Sequence, residues 1–68
     1  MIHELDLHGV KHEEVDLLVE NFVLLRKPPM RIITGNSDKM RKLVAKVLGR
    51  HGINWESFKS SQMTILKW

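Results

Sequence analysis

The sequence predicts an α/β domain of the α+β type: a two-layer sandwich of order βαβαββ, with a four-stranded mixed sheet and both helices on one face. Three observations carry this. The apolar period switches twice from the twofold alternation of strands to the 3.6-residue spacing of helices. Pro28-Pro29 and Gly35-Asn36-Ser37-Asp38 punctuate the chain where one kind of element gives way to the other. After Gly52 the pattern returns to short alternations separated only by Ser60-Ser61-Gln62.

Residues 2–8 read as the first strand, with Leu5 and Leu7 on one face and Glu4, Asp6 and His8 on the other, and Gly9 turns the chain. From about His12 a helix places Val15, Leu18, Val19, Phe22 and Leu25 on one stripe. Lys11 is a poor cap for it, but Glu13 and Glu14 suit the positive end of the dipole and Val10 can staple to Val15. Arg26-Lys27 favour its carboxyl end, and the two prolines stop it because neither donates a backbone hydrogen bond.

Residues 30–34 form a second strand, rich in β-branched side chains. Ser37 or Asp38 caps a second helix, whose core stripe is Met40, Leu43, Val44, Val47 and Leu48 and whose basic stripe is Lys39, Lys42, Lys46 and Arg50. Gly49 and Gly52 bracket its end. Residues 53–59 and 63–68 then read as two antiparallel strands joined by a hairpin turn.

Sixty-eight residues make one domain with one core, spanning 1–68. The chain has no cysteine, which excludes a disulfide scaffold and a thiolate metal site and points to a reducing, cytoplasmic compartment. No apolar run approaches the roughly 20 residues of a bilayer span, and the opening residues lack the pattern of a signal peptide, so a soluble protein with no membrane partner is expected. Eleven Lys and Arg against eight Asp and Glu give a net charge of +3. The acids concentrate in Glu4, Asp6, Glu13, Glu14, Asp16 and Glu20 and the bases between Arg26 and Arg50, a lopsided balance that permits a polyanionic partner without demanding one.

In open α/β sheets, ligands bind beyond the carboxyl ends of parallel strands. Here one such end delivers Asp6 and His8. Its neighbour delivers Thr34, Gly35, Asn36 and Ser37 into the second helix, whose free amides can hold a phosphate. Lys39, Arg41 and Lys42 stand in the first turn of that helix to neutralise phosphates, and Lys46 extends the stripe. Asp6 and His8 alone are too few ligands for a stable metal site. No cofactor is assigned, and the one role left open is weak Mg2+ binding. His3, His12 and His51 read as surface residues, Glu4 as an edge-protecting strand acid, and Trp55, Phe58 and Trp68 mainly as core.

Leu5-Asp6-Leu7-His8-Gly9, then Glu13-Glu14, Ile32-Ile33-Thr34-Gly35 and Arg41, resemble the small MutS-related (Smr) domain over nearly the whole chain. Asp6 and His8 fall on the Leu-Asp-x-His positions of that family, and Thr34 and Gly35 on its His/Thr-Gly-x-Gly positions. Ser37 stands where the second glycine belongs, Lys11 replaces a hydroxyl cap, and the usual longer loop before the last strand is reduced to Ser60-Ser61-Gln62. The resemblance implies a last strand lying between the second and third, and a nucleic-acid partner: DNA nicking, RNA cleavage or ribosome-linked binding.

The expectation is a nucleic-acid-binding, Smr-like monomer that takes DNA or RNA or docks on the ribosome. In its catalytic form it is an endonuclease with His8 as general base or acid and Asp6 orienting it or a metal-bound water. Its alternatives are a non-catalytic binding module and an interaction domain using the uncovered sheet face.

Overall fold

The computed structural model describes residues 2–67. Its order is β1 (His3–Asp6), α1 (His12–Leu25), β2 (Met30–Ile33), α2 (Asp38–Arg50) and β3 (Gln62–Ile65). β1 and β2 are parallel, as a strand-helix-strand unit requires, and β3 is antiparallel to β2. The result is an α+β fold with a three-stranded mixed sheet in the order β1-β2-β3.

The expected fourth strand over 53–59 is replaced by a single antiparallel bridge between Glu56 and Thr64. β3 therefore has β2 on one side and Glu56 on the other. The reason lies in local competition for the backbone. Ile53 is drawn into the core and Trp55 half-buried against it. The Ser57 hydroxyl then bonds the Lys59 carbonyl, and the Lys59 carbonyl also accepts from the Gln62 amide. Hydroxyls that bond nearby backbone offer the chain an alternative to a ladder, so residues 57–61 form a loop instead of a tight hairpin turn.

Register fixes which side chains share a face. Leu5, Ile32 and Met63 form one row, and His3, Met30 and Ile65 the next on the same side. Met30, Ile32, Met63 and Ile65, with Leu5 packed against them, join Val15, Val19 and Val23 of α1 and Met40, Val44, Val47 and Leu48 of α2 in one cluster, so both helices cover one face, while His3 at the strand end stays exposed. The opposite face carries the rows Glu4, Arg31, Thr64 and Asp6, Ile33, Gln62, and Glu4 pairs with Arg31 across it at 3.0 Å.

The helix ends follow their sequences. α1 starts at Lys11 without a side-chain cap, and Arg26, extended, closes it by donating to the Phe22 carbonyl. At α2 the Ser37 hydroxyl accepts from the Met40 amide at 3.1 Å. Beyond its last turn Gly52 takes φ +68°. Its amide bonds Gly49, and the Ile53 amide bonds Leu48 at 2.9 Å, the paired closure that a left-handed residue allows.

One stripe departs from expectation. α1 buries Val15, Val19 and Val23, while Leu18 and Leu25 are 37% and 71% exposed. Phe58, expected in the core, is also exposed. Trp68 lies outside the described residues.

Candidate nucleic-acid interface

The parallel register sets Asp6 beside Ile33, and the Leu7 amide donates to the Ile33 carbonyl at 2.9 Å. The two strands therefore end together, so the turn carrying His8 and the bend from Thr34 to Ser37 share one edge. This juxtaposition is the geometric basis of the site.

At the first strand end the chain reverses through Leu7-His8-Gly9-Val10. The Val10 amide donates to the Leu7 carbonyl at 3.0 Å and Gly9 sits at φ +81°, where a side chain is strained. The Asp6 carboxylate accepts from the backbone amide of His8 at 2.9 Å. It thus braces the turn. Among the described residues its hydrogen bond goes to the His8 backbone, with none to the imidazole, and the His8 ring is exposed.

At the second strand end the Ser61 carbonyl gathers several donors. It accepts from the Thr34 amide at 2.8 Å and the Gly35 amide at 3.1 Å, with the Thr34 hydroxyl 3.2 Å away. Thr34 is buried, and its hydroxyl also lies 3.0 Å from the Gly35 carbonyl. Thr34 and Gly35 are therefore structural: they stitch β2 to the loop before β3 and offer no amide to a phosphate. Ser37 likewise commits its hydroxyl to the helix cap. Among the described residues the amides of Asn36, Ser37, Asp38 and Lys39 have no backbone or side-chain partner. The Asp38 carboxylate beside them offsets part of the dipole's attraction for an anion.

Arg41 is also engaged. Its guanidinium donates to the Ser60 carbonyl and, at 3.2 Å, to the Ser57 hydroxyl, so it clamps the 57–61 loop from α2. Lys39, Lys42 and Lys46 are exposed and among the described residues make no ion pair. The stripe ends at Arg50, which pairs with Asp16 of α1 at 2.7 Å. The basic surface is thus three lysines on one side of α2, beginning at the shared edge.

His51 is half-buried between the helices instead of lying on the surface. Its Nε2 is 3.6 Å from a Glu20 carboxylate oxygen and makes no hydrogen bond among the described residues. A groove lined by Asn54, Trp55, Glu56, Leu66 and Lys67 includes none of the expected site residues and lies beyond β3 from β1. No cluster of three or more acidic or histidine side chains able to hold a metal occurs among the described residues, and no helix there is long and apolar enough to cross a membrane.

The organising role of Ser61 was invisible in the sequence, because the group at work is a backbone oxygen that any residue would supply. In comparisons with known proteins, no family model, curated protein or solved structure matches the chain.

Proposed function

We propose that this domain binds nucleic acid through its phosphates, using the edge where β1 and β2 end together with the lysine side of α2. One observation carries the reading: Lys39, Lys42 and Lys46 are exposed and unpaired among the described residues, in line with the free amides that open α2. The resemblance of Leu5-Asp6-Leu7-His8-Gly9 and Thr34-Gly35 to the Smr domain supports the same partner. Lys39 and Lys46 are about 10 Å apart along the helix axis, the length of about three steps of a nucleic-acid strand. Three phosphates neutralised make log affinity fall with log salt at a slope of about 2 to 3. Fluorescence anisotropy of labelled DNA and RNA oligonucleotides over a salt series tests this. Lys42→Glu and Lys46→Glu each weaken binding regardless of base sequence, and a salt-independent affinity overturns the reading.

The contacts of Asp6, Gly35 and Arg41 favour a binding module, since each is occupied in holding the fold together. The exposed His8 ring at the same edge supports a second reading, phosphodiester cleavage. There the imidazole takes a proton from the attacking water or ribose hydroxyl, the new P–O bond forms, and the leaving oxygen departs and is protonated. Labelled RNA and supercoiled plasmid incubated with and without Mg2+ separate the readings. Cleavage abolished by His8→Ala supports catalysis, and intact substrates with retained binding support the module.

A further inference from the structure

Helix α1 turns a second apolar face away from its own core. Leu17, Leu18, Leu24 and Leu25 are 64%, 37%, 55% and 71% exposed, and Asn21 among them is exposed too. At about 100° per residue, Leu17, Asn21 and Leu24 fall within an arc of about 60°, with Leu18 and Leu25 together along one flank. The steps of four and three between them are those of a helix-to-helix seam.

The ends of this face carry opposite charge: Glu13 and Glu14 in the first turn, Arg26 and Lys27 just beyond the last. Among the described residues none of these four makes an ion pair, whereas the other acids of α1, Asp16 and Glu20, face Arg50 and His51 of α2. The surface is self-complementary only when two copies run antiparallel. Leu17 then meets Leu24 and Leu25 of the second copy, and the acidic first turn of each lies beside the basic end of the other. Asn21 sits near the twofold axis, where two side-chain amides can each donate and accept. A parallel arrangement would set Glu13 and Glu14 against their own equivalents.

We propose that the outward face of α1 is a self-association surface on which a second copy of this chain packs its α1 antiparallel. A helix of 14 residues is about 21 Å long and about 10 Å wide. The paired surface, about 200 Å2 per copy, is thus smaller than the roughly 1,200 Å2 of a standard stable interface, and the dimer is a weak, transient one.

Sedimentation equilibrium of the purified chain from about 1 μM to about 1 mM tests this, because a weak dimer is populated only toward the upper end of that range. The average mass rises from monomer to dimer and stops there. The double variant Leu17→Glu/Leu24→Glu, altered only at exposed positions and checked for folding by circular dichroism, associates at least about tenfold more weakly, a loss of about 1.4 kcal/mol. Glu14→Lys alone also weakens the dimer, and adding Lys27→Glu restores it. A wild-type mass that stays monomeric, or grows beyond a dimer, overturns the proposal. So does unchanged association of the leucine double variant, or a charge swap that fails to restore the dimer.

Discussion

Asp6 shows how one side chain serves turn and edge together. Its carboxylate accepts the His8 amide, so Asp6→Ala destabilises the fold by about 0.5 to 1.5 kcal/mol, the net worth of such a bond, measured by urea denaturation. Asp6→Asn keeps an acceptor and removes a negative charge from the proposed binding edge. It leaves stability nearly unchanged and tightens oligonucleotide binding about twofold at low salt, the size of one screened charge at about 10 Å. Ser37 makes a parallel case: its hydroxyl caps α2 through the Met40 amide, and Ser37→Ala costs about 1 kcal/mol in the same denaturation experiment. The cap was legible in the sequence, because Ser37 stands just before an amphipathic run. The Asp6 bond was not, because a strand-end aspartate reads equally as an acid for catalysis or as a brace for its own turn.

At the scale of elements, α2 and β2 were legible and α1 only half so. α2 has a single apolar stripe against charged residues, which leaves one way to orient it. α1 is apolar almost all round, with Val15, Leu17, Leu18, Val19, Phe22, Val23, Leu24 and Leu25, and periodicity alone fits more than one face to the core. The valines won: Val15, Val19 and Val23 are buried and the leucines look outward. Val19→Ala therefore costs on the order of 2 kcal/mol by lost burial and an unfilled cavity, whereas Leu25→Ala, at an exposed position, stays within about 0.5 kcal/mol. Thermal or urea denaturation of the two variants distinguishes this orientation from the one that buries Leu25. The fourth strand failed for another reason. Its alternation of Ile53 and Trp55 is real, but the Ser57 hydroxyl bonds the Lys59 carbonyl within the loop, and Arg41 clamps that loop from 16 to 19 positions away, outside any local window.

For the molecule as a whole, one piece of topology decides the function proposed. Parallel pairing of β1 and β2 brings the His8 turn to the bend at residues 34–37, and α2 carries three lysines, unpaired among the described residues, away from that edge. Shared placement was legible from the strand-helix-strand order. The division of labour within it was not, because Gly35 and Thr34 are held by the Ser61 carbonyl, 27 positions from Thr34. The most direct test is a nuclear magnetic resonance titration of the labelled protein with a short DNA and a short RNA at low salt. Shifts are expected at His8, Asn36, Ser37, Lys39, Lys42 and Lys46, and they fade as salt is added. Shifts centred on the Trp55 and Leu66 groove, or none at all with either oligonucleotide, rule out phosphate binding at this edge.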